Sequence, residues 1–314
     1  MSCNFLTASG FYPWQTTIKK KISTSGIGLH KGDIINLTLK PSKPNSGITF
    51  IRTDIEGDLA KRSILANYKN VSDTNMCTTI KNETDCKVST IEHLMAALSG
   101  SGVDNIDIEV NGPEVPIMDG SSKQFIDLIE NSGLVKLSKK RKFLKITKKI
   151  EIIDGDKKCS LSPDKNMKFF ASIDFSDKVI GKQEASINLE KFSFKDNVSK
   201  ARTFGFMKDV EALRMSGLGL GGSLDNCVII DNNEVINAEG LRLENEFVVH
   251  KLLDAVGDIF TSGYRIQGEY KGYLCGHHMN NLLLRELFNN EDSFEIFELD
   301  DVINSNNRKE LLTA

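Results

Sequence analysis

The sequence predicts an α+β protein of two similar domains, each a mostly antiparallel sheet packed with helices. Three observations predict it. Short runs alternate apolar and polar residues between Gly-rich turns, the period-two signature of half-buried strands. Two longer segments, "STIEHLMAALSGSG" and "NEFVVHKLLDAVGDIFTSG", carry helical periodicity instead. The order of elements in the first half also recurs in the second: a helix with a histidine near its start, a glycine, a strand, a loop and a second helix.

Along the chain, "TTIKKKISTSGIGLHKGDIINLTLKPS" alternates about a Gly-rich turn and reads as a β-hairpin, and "GITFIRTD" as a further strand. The helix "STIEHLMAALSGSG" is expected to open at Ser89 or Thr90, with Glu92 close behind, and to close at its glycines. "VDNIDIEVNG" alternates again. "PIMDGSSKQFIDLIENSG" reads as a turn and a helix, with Asp119 or a serine as N-cap. The basic run "KLSKKRKFLKITKK" is interrupted by Phe143, Leu144 and Ile146. Its end therefore reads as a strand with a solvated charged face and its beginning as a linker, not as a nucleic-acid patch. A boundary near residue 140 divides the chain into domains 1–139 and 140–314.

In the second half, "FLKITKKIEII", "KCSLSP" and "KFFASIDFS" read as strands. The helix through His250 follows, then the strand "YRIQGEYKGYL" and the helix "HMNNLLLREL". An extra segment, "ARTFGFMKDVEALRMSGLGLGGSLDNCVIID", precedes the His250 helix. Its Gly217-x-Gly219-x-x-Gly222 matches GxGxxG, but a helical pattern stands before it where a dinucleotide fingerprint needs a strand. Gly217 reads better as a helix stop.

A length of 314 residues, with 39% hydrophobic and 26% charged, fits two soluble domains. A net charge of -3 gives no general field for nucleic acid. No apolar run approaches the ~18 residues of a membrane span. The N-terminal "MSCNFLTASGFYPWQ" has neither the basic start nor the apolar core of a signal peptide. Six scattered cysteines without a CxxC pair fit the reduced thiols of a cytoplasmic protein.

Val248, Leu252, Ala255, Val256 and Ile259 recur at helical spacing, yet His250 and Asp254 stack on one side of the same helix, with Asp258 one turn on. A His and Asp four apart present two donors to a metal, or simply hydrogen-bond. Glu92-His93 on the other histidine helix favours the metal. Two imidazoles and one carboxylate are three ligands with an open fourth position, the arrangement of a catalytic zinc site. Glu92 beside a ligand is then placed as general base for a water there. Its alternative is an acid favoured by the helix dipole. His277 in "CGHHMNN" is a candidate proton-transfer group that Asp258 would orient, or a loop or helix-cap residue.

The blocks "STIEHLMAALSGSGVDNIDIEVNGPEVPIMDGSS", "ARTFGFMKD", "GLGLGGSLDN", "VVHKLLDAVGD" and "GHHMNN", in this order, closely resemble the UDP-3-O-acyl-N-acetylglucosamine deacetylase (LpxC) family. The resemblance runs from about residue 15 to residue 290. It implies a zinc-dependent enzyme of lipid A synthesis, with the site at the domain junction. It implies His93, His250 and Asp254 as zinc ligands, Glu92 as general base, His277 as a cation and Asp258 as its carboxylate. Thr203 becomes an oxyanion donor. Lys251, Phe204, Phe206 and Asp209 become substrate contacts, Lys157 a diphosphate contact and Phe175 a surface for the uracil. The segment near 203–229 is implied to wall an apolar passage for the acyl chain, where Gly222 lets the backbone approach the substrate. His278 has no family role. The chain departs from the family at Leu274, where a basic residue is usual, and at Gly219, where a bulkier one is.

The expected partner is a UDP-sugar carrying one acyl chain, bound by a cytoplasmic monomer with Zn2+ as cofactor. Two other classes share these features: a different zinc amidohydrolase, such as a peptidase, and a non-catalytic sugar-nucleotide binder. The lack of HExxH weighs against the first, and a base beside an open metal position weighs against the second.

Overall fold

The structure, a computed structural model, describes residues 12–189 and 194–299. Cys3, most of the N-terminal stretch just discussed and the outer ends of the two expected domains lie outside the described residues. One sheet has five strands in the order Ile22–Ile27, Ile34–Pro41, Ile106–Val110, Ile48–Arg52 and Ser63–Leu65. Its first two strands form the antiparallel hairpin expected from the Gly-rich turn. Ile106–Val110 runs parallel to Ile48–Arg52. A parallel pair needs a long crossover, and the helix Glu92–Ser101 lies within it. The alternation of the sequence reappears as burial. Ile35, Leu37, Leu39, Ile106, Ile108 and Val110 are buried, while the residues between them reach water to varying degrees.

A second sheet of seven strands is built around Arg265–Tyr273. The start of that strand pairs in parallel with Lys142–Ile146. Its end lies between antiparallel Lys157–Ser162 and parallel Met167–Asp174. Ile150–Asp154, Lys182–Asn188 and Phe294–Glu298 complete it through antiparallel pairings. The molecule is therefore α+β with mostly antiparallel sheets.

Two local expectations are corrected. The beginning of the basic run is a strand, Leu134–Lys140, paired antiparallel with Trp14–Ile18. Lys136 and Lys140 stand 3.7 and 4.3 Å from the centre of the Trp14 ring, so an aromatic across the pair supports charges that read as a linker. "FLKITKKIEII" divides into two strands, with Thr147–Lys149 between them.

The two histidine helices, Glu92–Ser101 and Glu246–Phe260, pack directly against each other. Every residue of the second except Lys251 is buried. Such a helix is a central element, not an amphipathic surface one. Burial of each large aliphatic on it, such as Leu252 or Ile259, contributes ~1.5–3 kcal/mol. The approach is closest at Gly257, where an added Cβ would lie 2.1 Å from the Glu92 carbonyl oxygen and 3.1 Å from the Ala96 nitrogen. Gly257→Ala is expected to push the helices apart and cost ~1–3 kcal/mol in chemical denaturation, as overpacked cores do. Wild-type stability in that variant would contradict the packing.

The extra segment forms its own small sheet, Phe204–Phe206 parallel to Val228–Asp231, around the helix Met207–Met215. The loop after that helix docks on the hairpin turn of the five-stranded sheet. There the Leu220 and Gly221 N–H groups donate to the carbonyls of His30 (3.2 Å) and Leu29 (3.0 Å). Any Cβ at Gly221 would sit 2.1 Å from the Gly28 oxygen, so only glycine permits this contact. A strand, not a helix, follows this loop, as the rejection of a nucleotide fingerprint requires.

Candidate active site

Glu92 and His93 occupy the first turn of their helix. The expected cap is not made: Ile91 holds the cap position with no side-chain bond. Ser89 Oγ instead accepts from the Thr79 hydroxyl (2.9 Å), and the Thr90 hydroxyl donates to Glu114 Oε1 (3.0 Å). Thr90 has φ +58°, uncommon for a β-branched residue. Tertiary partners have drawn both hydroxyls away from the helix. At the neighbouring helix Lys123–Ser132, Ser122 makes no cap bond and its hydroxyl donates to the His93 carbonyl (2.8 Å), while Ser121 Oγ accepts the helix's first N–H, that of Lys123 (3.1 Å). Asp119 accepts from Ser121 and pairs with Arg242 (2.6 Å).

Helix packing brings His93, His250 and Asp254 together, with one donor atom of each within 4.8 Å of the others. His93 Nε2 and His250 Nε2 lie 3.5 and 3.3 Å from Asp254 Oδ1. Asp254 Oδ2 accepts from Lys251 Nζ (2.7 Å), but buried Oδ1 has no hydrogen-bond partner among the described residues. An unpartnered buried carboxylate oxygen between two imidazoles is costly unless a cation joins them. The rest of the set fits that reading. Burial pulls His250 down to about 3, against the pull of Asp254, and so keeps it neutral as a ligand must be. His250 Nδ1 lies 3.1 Å from the Ala201 carbonyl, a bond that fixes Nδ1 as donor and leaves the Nε2 lone pair for a metal. Burial opposes ionisation of Asp254, yet its neighbours, the Lys251 ammonium among them, hold it well below the usual carboxylate range. These residues fit a metal ion.

Beside them, Glu92 Oε1 and His277 Nε2 face one another at 3.9 Å. His277 begins the helix His277–Asn289, and its Nδ1 bonds Asp258 Oδ2 at 2.9 Å. Burial alone would lower the His277 pKa, but Asp258 and Glu92 override it and hold it at about 9. Burial raises the Glu92 pKa, and His277 and His93 offset only part of that. Two supports escaped the sequence reading. The Thr78 N–H donates to Glu92 Oε2 (2.9 Å) and its hydroxyl to Asp258 Oδ1 (2.6 Å). Asn280 Nδ2 donates to Asp258 Oδ2 (2.8 Å) and is itself held by the Tyr270 hydroxyl (2.6 Å). Asn280 had a signal, since it lies one turn after His277 in the quoted "GHHMNN" block. Thr78 had none.

Phe204 stands edge-on to His250 (6.3 Å) and Phe247 (5.0 Å), with Lys251 Nζ 5.8 Å from its ring centre. Phe175 packs against both Phe204 and Phe206, each at 5.9 Å, so the three aromatics form one wall beside the histidines. Thr203 is half-buried, its backbone bonded to the Gly120 carbonyl and the Val228 N–H (both 2.8 Å). Lys157 is exposed at the turn after Ile150–Asp154, and Asp209 is exposed in the first turn of Met207–Met215. Gly222 lies half-buried against Leu29 in the docked loop. His278 Nδ1 is 3.4 Å from the Thr74 hydroxyl. Cys77 is buried near Glu92, and burial with that negative neighbour pushes its thiol up to about 12. Among the described residues no helix is long and apolar enough to cross a membrane.

Comparison with known proteins places this geometry in a lineage. The family model described as UDP-3-O-acyl N-acetylglycosamine deacetylase (LpxC) matches residues 15–289. A UDP-3-O-acyl-N-acetylglucosamine deacetylase of Shewanella violacea is 45% identical over 285 residues, covering 90% of this chain and 92% of the relative. Proteins of the same name from Campylobacter fetus subsp. fetus and Haemophilus influenzae are 45% and 43% identical. They cover 91% of this chain, and 96% and 94% of their own lengths. The chain belongs to the UDP-3-O-acyl N-acetylglycosamine deacetylase family.

Proposed function

We propose that this protein hydrolyses the N-acetyl group of UDP-3-O-acyl-N-acetylglucosamine, releasing acetate and the free amine for lipid A biosynthesis, with zinc held by His93, His250 and Asp254. The observation that carries the reading is Asp254 Oδ1, which has no hydrogen-bond partner among the described residues, lying between two imidazoles with Glu92 alongside. A zinc ion there supplies Lewis acidity to the amide carbonyl and lowers the pKa of a water. Glu92, fixed by the Thr78 N–H, takes a proton from the attacking water. His277, kept cationic by Asp258, adds positive charge beside the developing oxyanion, where Thr203 is a further donor. Facing one another, Glu92 and His277 hold the protons from which the amine leaving group is completed.

Lys251, Phe204, Phe206, Phe175, Asp209, Lys157 and Gly222 are read as substrate contacts. Half-buried Val210, Leu213 and Leu218 are read as part of the wall of an acyl passage. The protein is read as a monomer. The free cysteines among the described residues and a UDP-sugar substrate suit the cytoplasm. Domains 1–139 and 140–314 are read as the carriers of the two main sheets.

The test is acetate release from the UDP-sugar, with an N-acetylated peptide as control, followed across pH. The expected kcat/KM rises as Glu92 loses its proton, above the usual carboxylate range, and falls as His277 loses its proton near about 9. In Asp258→Asn the raised His277 pKa loses its main support, so the alkaline limb moves to lower pH. Turnover of the peptide alone, or an alkaline limb unmoved in Asp258→Asn, would defeat the proposal.

A further inference from the structure

The helix Glu246–Phe260 opens on a carboxylate that the chemistry described so far does not use. Glu246 is 0% exposed. An acid in a first turn suits the helix dipole, but the dipole does not decide where its oxygens point. Among the described residues, the side-chain bonds of Glu246 all go to segments before its helix. Oε1 accepts from the Arg202 N–H and from Arg202 Nε (both 2.9 Å). Oε2 accepts from the Arg242 N–H (2.7 Å) and from Arg202 Nη2 (3.2 Å).

The Arg202 N–H belongs to the same peptide unit as the Ala201 carbonyl, which takes the His250 Nδ1 bond. That unit is planar and trans, so its C=O and N–H point in opposite directions. One helix holds both. The C=O meets His250 (3.1 Å) and the N–H meets Glu246 (2.9 Å), residues four apart and therefore on one side of the helix. A rigid plane is thus fixed at two edges, and it cannot turn away from the imidazole without breaking the Glu246 bond. A carboxylate on the N–H also polarises the peptide and makes its carbonyl a stronger acceptor. The guanidinium of Arg202 does not depend on Glu246 alone. Its Nη1 pairs with Glu239 (2.6 Å), and its Nη2 donates to the Gly240 carbonyl (2.7 Å). What only Glu246 supplies is the hold on the peptide.

We propose that Glu246 is a positioning residue for His250, which it orients through the Ala201–Arg202 peptide. The proposal rests on the reading of His250 as a zinc ligand and names what aims that ligand. A ligating imidazole needs its other nitrogen held by an acceptor, and here the acceptor is itself held by a buried carboxylate one turn earlier.

Two double variants isolate this hold, because neither leaves a charge buried alone. Arg202→Met/Glu246→Gln keeps an acceptor for the N–H of residue 202, and Arg202→Met/Glu246→Met removes it. Zinc affinity of the full chain is read by competition with a coloured chelator, and circular dichroism checks folding. The first double variant is expected within ~3-fold of wild type and the second ~10–100-fold weaker, the range for losing a group that orients a ligand. A pair that served the fold alone would be replaced equally well by both, since apolar side chains of similar volume substitute for buried ion pairs. In metal-free protein labelled with 15N-histidine, the His250 proton is expected on Nδ1 in wild type and the first variant, and shared between both nitrogens in the second. Should the second fail to fold, Glu246→Asp takes its place. It keeps the charge but draws the acceptor back by one methylene, and the same weakening is expected. Equal zinc affinity in the two double variants, or wild-type affinity in Glu246→Asp, overturns the proposal and leaves the zinc site standing. A wild-type chain that binds no zinc overturns the zinc reading and the proposal with it.

Discussion

His250→Ala is expected to lose bound metal and deacetylase activity together. His250 contributes Nε2 to the cluster, 3.3 Å from Asp254 Oδ1, so its loss leaves two of the three proposed ligands. The loss should exceed the ~10–100-fold that removal of an outer-shell partner costs. Metal content after a chelator wash is the direct readout, measured beside wild type by mass spectrometry. Because His250 is buried and neutral-disposed, the variant should stay folded, and circular dichroism checks this. Full metal occupancy in the washed, folded variant would mean that the ion sits elsewhere.

Glu92→Gln is expected to keep the metal and lose at least ~100-fold in kcat, the lower end of general-base effects. Glutamine preserves the shape and can still accept the Thr78 N–H bond, so the change removes the proton acceptor and little else. It also removes the negative charge 3.9 Å from His277 Nε2, one of the groups that hold His277 near 9. The residual activity should therefore show its alkaline limb at lower pH than wild type. Near wild-type turnover in Glu92→Gln would falsify the assignment of the base while leaving the metal site untouched.

Several elements behind these expectations were legible in the sequence for physical reasons. The hairpin Ile22–Pro41 and the strand Ile106–Val110 face a core on one side, so period-two alternation marks them. His250 and Asp254 share a helix, and four-residue spacing alone puts them side by side. What stayed hidden depends on partners distant in the chain. Thr78 sits on an unremarkable segment, and nothing near it reveals that its two donors will meet Glu92 and Asp258. Ser89 and Thr90 carry the residue types of a helix cap, but Thr79 and Glu114 claim them. Leu134–Lys140 is rich in lysine and reads as a linker, because its support, the Trp14 ring, lies on another strand. Gly257 sits inside a helical pattern, and what it permits depends on the Glu92 carbonyl of another helix.

That approach bears on how the enzyme is assembled in time. His93 and Glu92 are made early in synthesis, while His250, Asp254, Asp258 and His277 emerge much later. Until the later helix docks at Gly257, the early histidine is a single weak ligand with nowhere to hold an ion. On the proposed ligand set, the complete three-residue site then forms only with docking. An ion bound by these residues would tie the two helices at their seam and favour the joined state. A ligand that binds only that state, present at 100 times its Kd, deepens it by ~2.7 kcal/mol. On the proposed ligand set, an ion at this seam would hold the joined helices together as well as serve the reaction.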